Sequence, residues 1–157
     1  MGLKENLQSE TVSKLPCREA IRIPPEATVR QAVEILQSKQ LGCAVVVDAE
    51  DKPVGVFTER TLIDLLLLQP DDLDKIPVRD HLESEWFCVQ SSDPIATVLD
   101  LVQNRGARFV CELDEQGKVK GLTGQKGLSE YIADHFPEQV MVQRVGGQPG
   151  MGTREGA

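Results

Sequence analysis

The sequence contains two stretches that match each other without a gap when one is shifted by 66 positions. The stretch from Leu41 to Leu62 falls on the stretch from Ala107 to Leu128, with identical residues at Asp48/Asp114, Lys52/Lys118, Gly55/Gly121 and Leu62/Leu128. Hydrophobic character is kept at further pairs, which are Val29/Ile95, Val33/Leu99, Leu36/Val102, Val47/Leu113 and Val56/Leu122. This internal repeat is the strongest constraint on the fold, because both copies must form the same supersecondary unit.

Each copy predicts the element order β-α-β-β-α. A short extended piece ends at proline, and a helix with apolar residues at helical spacing follows. Thr28 and Asp93 precede these first helices and are predicted to cap them with their side-chain oxygens. A buried strand, a polar turn, a second short strand and a second helix complete the unit. The sequence therefore predicts an α+β fold made of two equivalent units.

The repeat also predicts the domain organisation. We expect repeat 1 at residues 15–69, a linker at 70–82 and repeat 2 at 83–138, with flexible termini at 1–14 and 145–157. A unit of this size cannot bury enough apolar surface alone. The two units are therefore expected to share one core, related by a pseudo-two-fold axis.

Charge and composition exclude several classes of function. The net charge of −8, from 17 basic and 25 acidic residues, disfavours nucleic acids and acidic membrane surfaces as partners. The N-terminus has no apolar run of the signal-peptide type, so the expected location is the cytoplasm. Four cysteines without a C-x-x-C pair and two histidines predict no metal site, and the cysteines are interpreted as buried, reduced thiols.

The conserved pattern of the repeat resembles the cystathionine-β-synthase (CBS) domain family, as a tandem pair over roughly residues 15–137. The segments that carry the resemblance are Thr28-Val29-x-x-Ala32-Val33, the run from Leu41 to Asp48, and the run from Pro53 to Arg60. The resemblance implies a stand-alone regulatory module that is not an enzyme. It also implies a homodimer that binds an adenosine-containing ligand, such as AMP, ATP or S-adenosylmethionine, between the repeats and acts on an unidentified partner protein.

In ligand-binding members of that family, the second strand leads into its helix through the motif G-x-x-T-x-x-D. The resemblance implies that the threonine contacts phosphate or ribose and that the aspartate accepts hydrogen bonds from the ribose hydroxyls. Repeat 1 keeps Thr58 but has Thr61 at the aspartate position, and repeat 2 has Gly124 and Gly127 at the two positions. Loss of the aspartate weakens a ribose site by on the order of tenfold to a thousandfold. We therefore rank the repeat-1 site above the repeat-2 site.

Basic residues near the two motifs still favour an anion. Arg60 and Lys126 hold equivalent positions at the starts of the second helices, where free amides and the helix dipole attract phosphate. The alternative is that these side chains are solvated surface charges and that Thr28 and Thr58 are helix caps without a ligand role. The candidate ligand-binding residues are Thr28, Thr58, Arg60, Thr61, Asp93, Arg108 and Lys126. No catalytic or metal-ligating residue is predicted.

A second function remains open beside ligand sensing. The lost aspartates, together with an intact apolar pattern, are compatible with a ligand-free dimerisation or assembly module whose nucleotide site has decayed. The run Leu65–Leu68 is apolar on more than one helical face, so we expect part of it in a subunit interface.

Overall fold

The structure, a computed structural model, describes residues 2–138. Within these residues, five α-helices and six strands follow one another: α1 Leu3–Ser9, β1 Ile21–Ile23, α2 Val29–Lys39, β2 Cys43–Val47, β3 Pro53–Thr58, α3 Glu59–Leu67, β4 Phe87–Gln90, α4 Ile95–Arg105, β5 Phe109–Leu113, β6 Val119–Gly124 and α5 Gln125–His135. After α1, the order β-α-β-β-α occurs twice, so the predicted α+β repeat is confirmed.

Each repeat has its own three-stranded sheet. In repeat 1 the order is β1-β2-β3, and in repeat 2 it is β4-β5-β6. The first pair of strands is parallel and the second antiparallel in both sheets. The antiparallel register shifts between Val46 and Val47 in one sheet and between Glu112 and Leu113 in the other. Even this irregularity recurs at the shift of 66 positions that the sequence predicts.

The caps of the first helices differ between the repeats. Thr28 caps α2 as predicted, because its hydroxyl accepts a hydrogen bond from the Gln31 amide at 3.2 Å. The predicted cap at Asp93 is wrong, because α4 begins only after Pro94. The Asp93 carboxylate instead accepts a hydrogen bond from the Gln90 amide at 2.8 Å, which fixes the turn before the helix.

Side chains from both sheets form a shared core between the repeats. The buried members of this inter-sheet core are Ala20, Cys43, Val45, Val56, Cys111, Val119 and Leu122. Trp86 and Phe109 pack against it from the side and are only partly buried. The cysteines match the prediction of buried thiols only in part, since Cys43 and Cys111 are buried but Cys17 is exposed.

The N-terminal segment packs against repeat 2, and the prediction that residues 1–14 are flexible is wrong for the residues described. Leu7 and Val12 are buried in the repeat-2 core, and Val12 is fully inaccessible. The Val12 amide donates to the Asp93 carbonyl at 2.8 Å. The hydroxyl of Tyr131 on α5 donates to the Glu10 carboxylate at 2.7 Å. Tertiary packing thus orders a segment whose own sequence signal is weak. The predicted flexible tail at 145–157 lies outside the described residues.

The segment between the repeats packs against repeat 1 in the equivalent way. Val78 is fully buried in the repeat-1 core, and its amide donates to the Ala27 carbonyl at 2.8 Å. The Val29 amide donates to the Ile76 carbonyl at 2.8 Å. Each repeat therefore packs against the segment that leads into the other repeat, and the two units are interlocked.

Candidate ligand clefts between the repeats

Two clefts open between the repeats, one at each second strand–helix junction. The repeat-1 cleft is lined by Gly42, Val56, Thr58, Glu59, Arg60, Glu83, Glu85, Trp86, Phe87, Arg105, Gly106, Ala107, Arg108 and Phe109. The repeat-2 cleft is lined by Pro16, Arg18, Glu19, Leu41, Cys43, Arg108, Phe109, Leu122, Thr123, Lys126, Gly127 and Glu130. In the repeat-1 cleft, the segment before β4 faces the junction of β3 and α3. In the repeat-2 cleft, the segment before β1 faces the junction of β6 and α5. The clefts are thus related by the pseudo-symmetry of the repeats.

The two clefts differ in free volume. The cavity of the repeat-1 cleft is about 240 Å³ and that of the repeat-2 cleft about 70 Å³. Sites for small molecules usually start near roughly 300 Å³. The repeat-1 cleft therefore approaches the size needed for a nucleoside, whereas the repeat-2 cleft is far below it. This agrees with the ranking made from the motif.

The junction of β3 and α3 is built by a reciprocal capping arrangement. The Thr58 hydroxyl accepts a hydrogen bond from the Thr61 amide at 3.3 Å, and the Thr61 hydroxyl accepts one from the Thr58 amide at 2.8 Å. The Thr61 hydroxyl also donates to the Thr58 carbonyl at 2.7 Å. Thr61 is buried, so its polar group serves the helix start and does not line the cleft.

A carboxylate of the chain itself occupies the polar end of the repeat-1 cleft. The Thr58 hydroxyl donates to Oε1 of Glu83, and the Arg60 guanidinium donates to both carboxylate oxygens, at 3.3 Å and 3.0 Å. The Glu83 side chain is only 10% exposed, although that of Arg60 is 75% exposed. The hydrogen bonds and charge of Glu83 raise the pKa of the Arg60 guanidinium, which therefore stays protonated. Thr58, Arg60 and Glu83 form one connected polar group.

The opposite wall of the repeat-1 cleft combines aromatic rings with arginines. Arg105 pairs with Glu85 and lies 5.5 Å from the centre of the Phe87 ring. Arg108 lies 5.3 Å from the centre of the Phe109 ring and has no ion-pair partner among residues 2–138. Stacked guanidinium groups and exposed ring faces are suited to a planar base.

The repeat-2 cleft is closed by the chain segment that enters repeat 1. A Cβ atom at Gly127 would lie 2.6 Å from the Thr123 hydroxyl and 2.9 Å from the Pro16 carbonyl oxygen. Gly124 has a φ of +135°, and a Cβ there would lie 2.5 Å from the Arg108 carbonyl oxygen. Both positions of the motif therefore require glycine. The space that would admit a larger ligand beside Gly127 is filled by the protein.

The charges of the repeat-2 cleft are less fully paired. Arg18 lies 3.6 Å from Glu130, while Lys126 and Arg108 have no ion-pair partner within the described part of the chain. This wall can attract an anion, but a cavity of about 70 Å³ is too small for a whole nucleotide.

The structure brings together only some of the residues predicted from the sequence. Thr58, Arg60 and Arg108 line the repeat-1 cleft, and Arg108 and Lys126 line the repeat-2 cleft. Outside both linings lie the three remaining candidates, Thr28, Thr61 and Asp93. The side chains of all three make local hydrogen bonds that hold helix starts or turns.

Sequence reasoning missed the contribution of the segment before β4. Glu83, Glu85 and Trp86 line the repeat-1 cleft, but none belongs to the strand–helix motif. The repeat could have indicated them, because the equivalent segment before β1, which includes Pro16 and Arg18, lines the other cleft.

A wider depression of about 720 Å³ lies on the outer side of repeat 1, between β1 and α2. Its charged lining consists of Arg22, Glu26 and Glu34, and Arg22 is paired with Asp51 at 3.2 Å. The depression has no aromatic side chain and no unpaired cation, so the repeat-1 cleft is the better candidate for a nucleotide.

Residues 2–138 lack two further classes of feature. That part of the chain holds no group of three or more His, Cys, Asp or Glu side chains arranged to bind a metal ion. It also contains no helix with the length and apolar character that crossing a membrane requires.

Part of the chain matches a known family model, and curated proteins are similar to most of its length. Residues 12–68, which span repeat 1 and the segment before it, match the family model described as CBS domain. Among curated proteins, the chain is 28% identical over 131 residues to inosine-5'-monophosphate dehydrogenase of Aquifex aeolicus, covering 77% of this chain but 25% of that enzyme. It is 24% identical over 123 residues to an uncharacterized 17.7 kDa protein of Acidianus ambivalens, covering 78% of this chain and 73% of the relative.

Solved structures share the fold at low sequence identity. A CBS domain protein from Pyrobaculum aerophilum, solved in complex with AMP, has a TM-score of 0.65 at 23% identity, over 73% of this chain and 86% of that one. A CBS domain-containing protein from Bacillus anthracis has a TM-score of 0.73 at 16% identity, over 84% of this chain and 99% of that one. Residues 12–68 thus match the CBS domain family model, and the described chain has the fold of solved CBS domain proteins.

Proposed function

We propose that the chain is a regulatory module that binds an adenosine-containing ligand, of the AMP, ATP or S-adenosylmethionine class, weakly in the repeat-1 cleft. In this proposal the protein is a cytoplasmic homodimer without catalytic activity of its own. Ligand binding favours one conformation of the pair, and an unidentified partner protein responds to it. A ligand changes that equilibrium only if it binds the two conformations with different affinity.

The observation that carries the proposal is the composition of the repeat-1 cleft. Phe109, which the Arg108 guanidinium contacts, and Trp86 contribute aromatic rings to this cleft, and Glu59 and Arg60 at the start of α3 line the same cleft. Three arginines and three glutamates line this cleft, and Arg108 is the arginine without an ion-pair partner among residues 2–138. In an adenosine-containing ligand, the base needs aromatic surface, and the ribose and any charged group need polar or charged side chains close to it. The AMP complex of the similar Pyrobaculum protein supports the choice of ligand class.

The first experiment is a thermal-shift titration of the whole chain with AMP, ATP and S-adenosylmethionine, with GMP as a control for the base. A ligand that binds only the folded state stabilises it by about 2.7 kcal/mol at roughly 100 times its Kd. The proposal predicts a dose-dependent rise in Tm with at least one adenosine compound and a smaller rise with GMP. No rise with any adenosine compound at millimolar concentration would contradict ligand sensing.

A second function, assembly without a ligand, is favoured by a different observation. Ile63, Leu66, Leu67 and Leu68 on and after α3 are all exposed, with Leu67 77% exposed. The equivalent positions on α5 are Ser129, Ile132, Ala133 and Asp134, so the apolar surface belongs to repeat 1 alone. A second copy of the chain is the proposed partner of this surface, because an isologous contact covers the same patch on both copies.

Ligand binding and assembly are separated by two measurements on the same protein. The thermal-shift titration measures ligand binding, and sedimentation velocity measures the oligomeric state. Dimerisation without stabilisation by any adenosine compound would favour the assembly module. Stabilisation by one of these compounds would favour the sensor, whatever the oligomeric state.

A further inference from the structure

We propose that Glu83 is an internal occupant of the anion position in the repeat-1 cleft, so that a phosphate group binds there only by displacing this carboxylate. The inference rests on the proposed function, since it concerns the same cleft. It adds a residue from outside the strand–helix motif that sets which adenosine-containing ligands the native chain accepts.

The contacts of Glu83 are those that an anionic ligand would make. The Thr58 hydroxyl and the Arg60 Nε atom both donate to Oε1, and a terminal nitrogen of Arg60 donates to Oε2. Arginine binds carboxylates and phosphates through the same pair of parallel hydrogen bonds. These donors lie at the N-terminal end of α3, whose dipole also favours negative charge. Thr58 and Arg60 therefore form an anion-binding position, and the Glu83 carboxylate occupies it.

Burial distinguishes this contact from an ordinary surface ion pair. The side chain of Glu83 is 10% exposed, whereas that of its partner Arg60 is 75% exposed. By comparison, Arg30 and Asp74 form a pair of 2.9 Å in which both side chains are at least half exposed. The protein thus encloses the carboxylate and leaves the cation accessible. A second anion cannot use the same donors while the first remains, because like charges at this separation repel strongly.

The main chain at Glu83 is held separately from its side chain. The Glu83 amide donates to the Val56 carbonyl at 2.9 Å, and Cδ1 of the neighbouring Leu82 lies 2.5 Å from where a Cβ on Gly55 would be. The hydrogen bonds of the Glu83 carboxylate are those to Thr58 and Arg60. In this inference a rotation of the side chain, without unfolding of the segment, frees these donors for a phosphate.

The inference predicts a specific pattern of ligand preference. An uncharged adenosine can use the aromatic wall without disturbing Glu83, but AMP must displace the carboxylate to place its phosphate on Arg60. The native chain should therefore bind AMP and adenosine with similar affinity. Removal of the Glu83 carboxylate should favour AMP by about tenfold or more, since hydrogen bonds to a charged group become available to the phosphate.

The test is isothermal titration of the whole chain with adenosine and with AMP, in the native protein and in Glu83→Ala, Glu83→Gln and Glu85→Gln. The ratio of the two affinities is the readout, because it cancels general effects of a substitution on the fold. We expect the preference for AMP to rise about tenfold or more in Glu83→Ala and by less in Glu83→Gln, whose amide can still accept from Thr58. Glu85→Gln removes an equal charge from the same cleft, but Glu85 binds Arg105, so a change of less than about threefold is expected.

Two results would overturn the inference. One is an unchanged ratio in both Glu83 variants, and the other is an equal rise in Glu85→Gln, which would indicate a general effect of charge. If native protein and variants all fail to bind adenosine, the proposed function fails, and titration with inorganic phosphate decides the inference separately. Amide NMR signals of Thr58 and Arg60 that shift with phosphate in Glu83→Ala but not in the native chain support it, and their constancy in both rejects it.

Discussion

Val12 and Val78 lie 66 positions apart, and both are fully buried. Val12 precedes repeat 1 but lies in the core of repeat 2, whereas Val78 precedes repeat 2 but lies in the core of repeat 1. Their amides donate to the carbonyls of Asp93 and Ala27, which are also equivalent positions, at 2.8 Å in both cases. The two repeats thus exchange their leading segments. This exchange places residues near 17 and 83 at the mouths of the opposite clefts, so the same feature stabilises the pair and forms the candidate site.

The first prediction concerns the N-terminal segment. Val12→Ala removes two buried methyl groups from the repeat-2 core and should lower the free energy of unfolding by about 2 kcal/mol. Urea denaturation followed by circular dichroism measures the change. Val54→Ala is the matched control, because Val54 is 44% exposed and its truncation should cost less than about 0.5 kcal/mol. Equal stability of Val12→Ala and the native chain would mean that residues 2–14 do not pack as described.

The repeat explains why so much of the fold could be predicted from the sequence. The apolar spacing of α2 and α4 is a local pattern, and so is the apolar run of the buried strand that follows each helix. Because each pattern occurs in both copies, the second copy supports the helix or strand predicted from the first. The N-terminal segment was missed because Leu7 and Val12 stand in a polar stretch with no strong periodicity. Their burial depends on contacts with a repeat that begins about 75 residues later.

The candidate site was predictable only as far as its motif extends. Thr58 and Arg60 were found because they lie at the strand–helix junction. Glu83 was missed because it comes from a different segment and reaches Thr58 across 25 positions. Nothing in the motif around Gly127 indicates that Pro16, which is more than 100 positions earlier, fills the space beside it. Such contacts depend on how the repeats interlock, which no local pattern records.

The second prediction concerns thiol reactivity. Cys88 and Cys111 are direct neighbours on β4 and β5. The neighbouring Cys111 thiol lowers the pKa of Cys88, whereas burial and the nearby Glu112 carboxylate raise the pKa of Cys17 to about 12. Since the thiolate is the reactive form, iodoacetamide at pH 8 should modify Cys88 faster than the more exposed Cys17. Peptide mass spectrometry over time measures both rates.

Two variants test the causes of these shifts. Cys111→Ala removes the neighbouring thiol, so the pKa of Cys88 should rise and its pH–rate profile should move to higher pH. Below the pKa, each unit of increase lowers the rate at fixed pH by about tenfold, because the thiolate fraction falls by that factor. Glu112→Gln should accelerate the reaction of Cys17 and leave that of Cys88 unchanged. Faster modification of Cys17 than of Cys88 in the native chain would contradict this assignment.

The third prediction concerns the exposed apolar residues of α3. If a second copy covers them, Leu67→Asp should weaken the dimer by about 100-fold or more, because an isologous contact loses the buried leucine twice. Sedimentation velocity at several concentrations measures the dissociation constant. Ala133→Asp is the matched control, since Ala133 is the exposed equivalent on α5, and it should leave the dimer intact. A monomeric native chain, or equal weakening by both substitutions, would argue against this surface.

The last prediction restores the motif in each repeat separately. Thr61 itself is buried and does not line the cleft, but an aspartate at position 61 has a side chain one atom longer. It can keep the hydrogen bond from the Thr58 amide, and we expect its second oxygen to enter the cleft and accept from a ribose hydroxyl. Thr61→Asp should therefore tighten the binding of adenosine by about tenfold. Adenosine is the appropriate probe, because it has no phosphate and does not compete with Glu83. Isothermal titration measures the change.

In repeat 2, the same change should have the opposite consequence. Gly127→Asp places a side chain where a Cβ lies 2.6 Å from the Thr123 hydroxyl and 2.9 Å from the Pro16 carbonyl oxygen. The overpacking and the buried charge should lower the free energy of unfolding by about 2 kcal/mol or more, without creating a second adenosine site. A stable Gly127→Asp protein that binds two adenosines per chain would show that the Pro16 segment does not close the repeat-2 cleft. The two positions are equivalent in the repeat, so different outcomes would reflect their surroundings, which are Thr123 and the Pro16 segment at position 127 and the Thr58 cap at position 61.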